Sequence, residues 1–407
     1  MKRIAERFLE YVKIDTTSVD GLDVVPSSNS QFELANKLAE ELKALGVSNV
    51  KVDEHACVTG KLPSNLPEGK TAPAIGFLAH LDTSPDAPGC NIKPQIHENY
   101  DGGKLVINEE LGFELNPEDL KRYIGNTIIT TDGTTLLGAD NKAGIAIIME
   151  AVEYFVANPE VPHGDFCIAF TPDEEVQGGA ALFDIEGFGA DFAFTVDGED
   201  VGEFNHETFN AAGATVTIKG VCIHPGSAKD KLVNPLILAT EYLSELPRSE
   251  APETTEGRDG FYYPYEIQGN EQVATIEFLL RDFDRESMAK RKVVLQEIAK
   301  KVNDKWGSEY VTVEIQDQYA NMNDFLEGQE HIIENALQAY RDCGIEPRIV
   351  PVRGGTDGAR LSFMGLPCPN LSAGGMNFHG RFEYISVQAM QNAVNVIVEI
   401  AKLVANK

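Results

Sequence analysis

Histidine and carboxylate side chains stand at five places where an apolar run ends or a glycine-containing turn begins. The five places are His80-Leu81-Asp82, Asp140, Glu174-Glu175, Asp197 and His379. Taken singly, each place is weak evidence for a functional site, because an H-x-D pair or an acidic pair is more often an ordinary turn or a solvated helix start. Together, two imidazoles and several carboxylates form a ligand set that suits two divalent metal ions. Such ligands favour zinc, with manganese or cobalt as substitutes.

Three short apolar segments lead directly into these side chains and predict buried strands. Residues 74–79 precede His80, residues 166–170 precede the paired glutamates, and residues 192–196 precede Asp197. In an open α/β sheet, binding sites form beyond the carboxyl ends of the strands. We therefore expect the three strand ends to converge on one crevice.

Alternating strands and helices in the first half of the chain predict an α/β domain with a mixed, largely parallel sheet flanked by helices. One helix has Leu34, Leu38 and Leu42 on one face, and Ser30 with Glu33 forms a capping-box pattern at its start. A second set of apolar residues at helical spacing follows Asp140 and predicts another helix.

The pattern changes between residues 209 and 316. Strand-like segments near residues 214–218, 272–278 and 310–315 alternate there with two helices, near 234–246 and 285–302. The sequence therefore predicts a discontinuous main domain, 1–208 plus 317–407, and an inserted α+β domain, 209–316.

These residues and their neighbours resemble the co-catalytic zinc exopeptidases, a family that includes glutamate carboxypeptidase and the dizinc dipeptidases. The resemblance is carried by His80-x-Asp82, Gly138-Ala139-Asp140-Asn141-Lys142-Ala143-Gly144, Asp173-Glu174-Glu175, Asp197-Gly198, His224-Pro225-Gly226 and His379. Longer runs, such as Arg281-Asp282-Phe283-Asp284-Arg285 and Arg353-Gly354-Gly355-Thr356-Asp357-Gly358, are most similar to the tripeptide aminopeptidases of that family. The similarity extends nearly end to end. Two departures, Asn141 and the turn Gln177-Gly178-Gly179, touch none of the expected ligands.

The resemblance implies a role for each side chain of the dinuclear site. Asp140 would bridge two zinc ions, with His80 and Asp197 completing one position. Glu175 and His379 would complete the other. Behind these ligands, Asp82 would accept the free ring N–H of His80, and Glu174 would be the general base that takes the proton from water.

Three further residues acquire expected roles from the same resemblance. His224, in an inserted domain that acts as a lid or in dimerisation, would donate a hydrogen bond to the developing oxyanion. Arg281 and Arg353 are candidates for binding the C-terminal carboxylate of a peptide, because a guanidinium matches a carboxylate. Either arginine could equally be a structural ion-pair partner.

The expected activity is release of the N-terminal residue from tripeptides with a free N-terminus. Another amide hydrolase of the same fold (a dipeptidase, a carboxypeptidase or an N-acyl amino acid deacylase) is the alternative, since such a centre suits any amide. A non-enzymatic metal- or peptide-binding protein is disfavoured because all the expected ligands and the base are present. The sequence has neither G-x-G-x-x-G after a strand nor a P-loop pattern, which disfavours a nucleotide-binding module.

The composition of the chain indicates which binding partners and which cellular compartment to expect. Acidic residues outnumber basic ones by 64 to 34, a formal charge of −30, which disfavours nucleic acid and anionic membranes as partners. Neither an apolar leader nor a run long enough to span a bilayer is evident, and the six cysteines show no C-x-x-C spacing. We expect a cytoplasmic protein; a homodimer through the inserted domain is left open.

Overall fold

The computed structural model describes residues 2–176 and 178–406, the side chain of Lys2 excepted; Gln177 of the predicted turn lies outside the described residues. The helices are α1 Lys2–Tyr11, α2 Gln31–Ala44, α3 Pro117–Leu120, α4 Ala139–Ala157, α5 Ile185–Phe188, α6 Pro235–Ser244, α7 Arg285–Trp306, α8 Glu330–Asp342, α9 Asp357–Phe363 and α10 Val387–Ala405. The strands are β1 Ser48–Val52, β2 Val58–Leu62, β3 Ile75–His80, β4 Gln95–His97, β5 Leu105–Asn108, β6 Phe113–Leu115, β7 Ile128–Thr130, β8 Phe166–Thr171, β9 Phe192–Gly198, β10 Glu203–Asn205, β11 Asn210–Lys219, β12 Phe261–Gly269, β13 Val273–Asp282, β14 Val311–Tyr319, β15 Arg348–Ile349, β16 Asn370–Ser372, β17 Gly375–Met376 and β18 Tyr384–Ser386. No helix in the described part of the chain is both long enough and apolar enough to cross a membrane.

The chain forms two compact units. The first comprises the residues up to His206, the segment Phe325–Val350 and the residues from Thr356 onward. The second comprises Glu207–Asp324 and Pro351–Gly355.

A sheet of eight strands forms the centre of the first unit, in the order β1-β2-β8-β3-β9-β16-β10-β15. The pairs β8–β3, β3–β9, β9–β16 and β10–β15 are parallel, and the other three pairs are antiparallel. The predicted mixed, largely parallel sheet with flanking helices is therefore confirmed. A second sheet, β17-β18-β7-β4, is antiparallel.

Both faces of the eight-stranded sheet are covered at its central strands. On one face Phe77 packs in a large core with α1, α2, α4 and α10, and on the other Leu78 packs with Phe188 of α5 and Leu361 of α9. Strands covered on both faces need apolar side chains at consecutive positions. This explains why β3, β8 and β9 are continuous apolar runs that sequence reasoning could find.

Helix α4 packs directly on strand β9. A Cβ atom at Gly144 would lie 2.1 Å from the carbonyl oxygen of Val196, so only glycine permits this approach. The first turn of α4 is interrupted, because Asp140 and Asn141 have non-helical φ/ψ angles and are joined by a cis peptide bond. Asp140 thus lies beside the strand that carries Asp197.

The second unit contains one antiparallel sheet, in the order β12-β13-β11-β14, with α6 and α7 packed on it. Its limits differ from the predicted 209–316. Strand β14 continues to Tyr319, which pairs with Ala211, and Thr208 bridges Val352 of a separate short segment. Strand β12 was missed because its side chains are mostly exposed and Pro264 interrupts the strand pattern.

The predicted capping box at the start of α2 does not form. Ser30 has helical φ/ψ angles, and its hydroxyl donates to Ser28 instead of accepting from the amide of Glu33. The side chain of Gln31 in the first turn donates to Asp173 at 2.6 Å. This contact lies 142 residues away along the chain, so a local pattern could not reveal it.

Candidate metal centre

The carboxyl ends of three neighbouring parallel strands bring the predicted side chains together. His80 ends β3 and lies opposite Thr171, the last residue of β8, in the parallel register. On the other side, Leu78 pairs with Thr195 of β9, which places Asp197 beside His80. The expected convergence of the strand ends is therefore observed.

Two groups of side chains at this edge have the spacing of metal ligands, and Asp140 belongs to both. The first is His80, Asp140 and Asp197, and the second is Asp140, Glu175 and His379; within each, the ligand atoms lie within 4.8 Å of one another. His80 Nε2 is 2.8 Å from Asp140 Oδ1, and His379 Nε2 is 3.2 Å from Asp140 Oδ2. Asp140 thus directs one oxygen to each group.

The other members complete the two groups at similar distances. His80 Nε2 is 3.5 Å from Asp197 Oδ1, and His379 Nε2 is 2.9 Å from Glu175 Oε2. All five residues predicted as ligands therefore lie in one cluster.

Asp82 is fully buried and holds two parts of the cluster. Its Oδ1 atom accepts from His80 Nδ1 at 3.2 Å and from the backbone N–H of Glu174 at 3.0 Å. Its Oδ2 atom accepts from the backbone N–H of Glu175 at 3.1 Å. When Nδ1 of His80 carries the proton, Nε2 keeps a lone pair for a metal. Asp82 thus orients the imidazole and fixes the turn that bears both glutamates.

Asp173, one residue before the glutamates, has φ of 51°. Its carboxylate accepts from the N–H and hydroxyl of Ser27 and from Gln31 Nε2, each at 2.6 Å. A non-glycine residue is uncommon in this region and persists where its surroundings hold it. These contacts anchor the turn from the side of α2.

The carboxylates of the cluster repel one another in a poorly solvated site. Burial, and then the charge of Asp140, raise the pKa of Glu175 to about 7. Burial likewise raises the pKa of Asp197 to about 6, with Asp140 adding to the effect. Although burial opposes it, hydrogen bonds from His379 and His80 lower the pKa of Asp140. A cation among these groups would relieve the repulsion.

Glu175 provides a direct test of whether metal ions fit. Its Oε1 atom is buried and has no hydrogen-bond partner among the described residues, while Oε2 faces His379. A buried carboxylate oxygen without a partner is costly, unless a cation completes its surroundings. Together with the two donor groups, this oxygen shows that the residues fit a pair of divalent ions.

Glu174 lies beside the cluster but belongs to neither group. The structure gives its carboxylate no hydrogen bond to a described residue, although its backbone is held by Asp82. Burial raises its pKa well above the usual value, and the neighbouring carboxylates Asp197, Asp357 and Glu175 act in the same direction. The side chain is therefore available to exchange a proton.

His224 lies in the second unit and is exposed. Its Nδ1 atom accepts a hydrogen bond of 3.1 Å from the backbone N–H of Gly226. Nδ1 is therefore unprotonated, and the neutral ring carries its proton on Nε2. His224 thus presents a hydrogen-bond donor.

The two predicted arginines also lie in the second unit and have different surroundings. Arg353 donates to the carbonyl oxygens of Gly257 and Asp259 at 2.9 and 2.8 Å and to the Thr255 hydroxyl at 3.0 Å. Arg281 is 6% exposed, donates to the carbonyl oxygens of Leu280 at 2.9 Å and Ala212 at 3.5 Å, and lies over the ring of Tyr319. The donors of Arg353 are thus more fully used within its own unit.

Two carboxylates that contact the cluster were missed in the sequence. Asp86 Oδ2 lies 3.2 Å from Nδ1 of His379, and Glu383 accepts from the backbone N–H of Asp140. Burial raises the pKa of Glu383 to about 7. Glu383 could have been noticed as an acidic residue directly before the short strand Tyr384–Ser386, four residues after His379.

Comparison with known proteins identifies relatives over the whole chain. The profile of "Peptidase family M20/M25/M40" matches residues 132–403. A protein named Peptidase T from Clostridium perfringens is 52% identical over 410 residues, covering all of both chains.

Solved structures with the same fold are also found. The aminopeptidase PepT from Bacillus cereus aligns with a TM-score of 0.78 at 24% identity, covering 99% of this chain and 98% of that one. A tripeptidase from Staphylococcus aureus aligns with a TM-score of 0.76 at 22% identity, covering 100% and 99%. These structures share the architecture described above.

Proposed function

The chain belongs to peptidase family M20/M25/M40 and is a metal-dependent peptidase; from this premise we propose that it is a dizinc aminopeptidase that releases the N-terminal residue of tripeptides. The observation that carries the proposal is the pair of donor groups that share Asp140, with the carboxylate of Glu174, which has no hydrogen bond to a described residue, beside them. Imidazole and carboxylate ligands support zinc as the metal.

Bound divalent ions at such a centre supply Lewis acidity that polarises a peptide carbonyl and lowers the pKa of water. The residues of the chain do the rest. Asp82 holds the imidazole of His80 in the ligating tautomer and fixes the turn of Glu174. Glu174 accepts the proton of the attacking water and delivers it to the nitrogen of the departing amine.

The tripeptide preference is supported by the relatives, one named Peptidase T at 52% identity and one described as a tripeptidase. A panel of Ala-Ala, Ala-Ala-Ala, tetra-alanine and N-acetyl-tri-alanine tests it, with free alanine, acetate and shortened peptides measured by chromatography. We expect the unblocked tripeptide to have the highest kcat/KM. Equal hydrolysis of the acetylated peptide would show instead a deacylase or carboxypeptidase, and preference for Ala-Ala would show a dipeptidase.

Removal of metal is expected to abolish this activity. The chelated protein should hydrolyse Ala-Ala-Ala at the background rate and recover when two equivalents of Zn²⁺ are returned, with the bound zinc counted by elemental analysis. Recovery with Mn²⁺ or Co²⁺ but not Zn²⁺ would change the metal of the proposal. Full activity of the chelated, metal-free protein would exclude the dinuclear centre.

His224 is proposed to donate from Nε2 to the oxyanion that forms at the scissile carbonyl. We expect His224→Ala to lower kcat about 10²–10³-fold, the usual cost of losing one oxyanion donor. The zinc content should stay at the wild-type value. His331→Ala, a histidine of α8, is the matched control. A kcat of His224→Ala within twofold of the wild-type value would show that His224 does not stabilise the oxyanion.

Arg281 is the better of the two candidates for the peptide carboxylate, because fewer of its donors are used within its own unit. Arg281→Ala should raise KM for Ala-Ala-Ala far more than for its C-terminal amide, since the amide has no carboxylate to bind. Arg353→Ala should raise both KM values equally or destabilise the second unit. An equal effect of Arg281→Ala on the two substrates would show that it does not bind the carboxylate.

We also place the activity in the cytoplasm. All six cysteines carry free thiols, which suits a reducing compartment.

A further inference from the structure

Glu383 is a buried carboxylate outside the two donor groups. Its side chain is 1% exposed and accepts three backbone hydrogen bonds from residues more than 240 positions away. Oε2 accepts from Leu137 at 2.6 Å and from Gly138 at 2.8 Å, and Oε1 accepts from Asp140 at 3.1 Å. Both carboxylate oxygens are therefore used on one short stretch of backbone.

This stretch cannot satisfy its own amides. The first N–H groups of a helix have no partner within the helix, and an acceptor or a negative charge near them is stabilising. Gly138 occupies the N-cap position of α4 with φ of 79° and has no side chain that could accept. Glu383 supplies the acceptors from a distant part of the chain.

The same contact reaches both donor groups. Asp140 directs one oxygen to each group, so a displacement of its backbone would move a ligand of both. Glu383 also stands four residues after His379 and directly before β18, whose pairing with β7 fixes its position. One carboxylate thus joins the segment that bears Asp140 to the segment that bears His379.

We propose that Glu383 is a positioning residue of the metal centre: it fixes the backbone at Asp140 and thereby sets the affinity of both metal positions. The inference rests on the dinuclear centre proposed above. Glu383 belongs to neither donor group, so its proposed action passes through Asp140.

The test is a titration of the chelated full-length protein with Zn²⁺, comparing wild type with Glu383→Gln. A glutamine has one accepting oxygen, and its NH₂ group would face a backbone N–H, so at least one of the three hydrogen bonds is lost. We expect the dissociation constants of both ions to rise about 10–100-fold, as is usual when a residue supporting metal ligands is lost. Glu383→Asp, which keeps the charge but is one methylene shorter, should give a rise in the same direction.

Asp53→Asn is the matched control. Asp53 also accepts two backbone hydrogen bonds, from His55 at 2.9 Å and Cys57 at 2.8 Å, but at the turn between β1 and β2. The Asp53→Asn variant should bind both Zn²⁺ ions with the affinities of the wild-type protein. Urea unfolding of all variants in EDTA separates a loss of stability from a loss of metal affinity.

Unchanged zinc affinities in Glu383→Gln would overturn the proposal. So would a loss confined to one ion, because the proposed effect passes through the ligand that both positions share. If Glu383→Gln does not fold, the same criteria apply to Glu383→Asp. A wild-type protein that binds no Zn²⁺ would refute the dinuclear centre itself, and this inference with it, which distinguishes the two failures.

Discussion

Glu174→Gln is expected to lower kcat for tripeptide hydrolysis by about 10²–10⁴-fold, the contribution typical of a positioned general acid or base. Glutamine has nearly the size of glutamate but cannot accept a proton from water. The hydrogen bond from the backbone of Glu174 to Asp82 would remain, because it does not involve the side chain. The effect should therefore appear in kcat and leave KM close to the wild-type value.

Two measurements distinguish this loss from damage to the metal centre. The zinc content of Glu174→Gln should remain two ions per chain, since Glu174 belongs to neither donor group. Glu186→Gln, the same change at an exposed position of α5, should keep wild-type activity. A Glu174→Gln enzyme with wild-type kcat would assign the base to another residue.

Asp140→Asn is expected to have the largest effect on metal binding. Asp140 is the one ligand common to both groups in the described structure, so its substitution should reduce binding at both positions. We expect the bound zinc to fall from two ions per chain towards none. The kcat/KM should fall by more than about 100-fold, beyond the 10–100-fold range of a supporting residue.

Substitutions of ligands that belong to one group provide the comparison. Asp197→Asn and His379→Ala each remove a ligand of a single position, so each should lower the zinc content by about one ion. Elemental analysis after gel filtration measures the zinc content of all three variants. If Asp140→Asn loses only one ion, Asp140 does not serve both positions.

Much of the fold could be predicted because its main strands are buried on both faces. Strands β3, β8 and β9 are short apolar runs, and the residues after them carry the imidazole and carboxylate groups of the cluster. The step from these runs to a shared site needs only the rule that parallel strands end at one edge of a sheet. This rule brings His80, Glu175 and Asp197 together, whereas Asp140 and His379 were expected beside them from the resemblance to the co-catalytic zinc exopeptidases.

Apart from the contact of Asp82 with His80, the supporting contacts could not be predicted, because they join distant segments through side chain and backbone. Glu383 accepts from the backbone N–H groups of Leu137 and Gly138. Nearly every residue type has such a group, so the types of these two residues do not indicate the contact. The exposed strand β12 lacks the apolar alternation by which a half-buried strand is recognised. Arg353 was a candidate ligand for substrate in the sequence, yet its guanidinium is largely engaged by backbone carbonyl groups of its own unit.

The order in which the chain is synthesised determines when the contact between Glu383 and the start of α4 can form. His80, Asp140, Glu175 and Asp197 are all synthesised before the second unit, whereas His379 and Glu383 follow it. Domains generally fold from the N-terminal side during translation. In a growing polypeptide the cluster is therefore incomplete until the segment that bears His379 and Glu383 has been made.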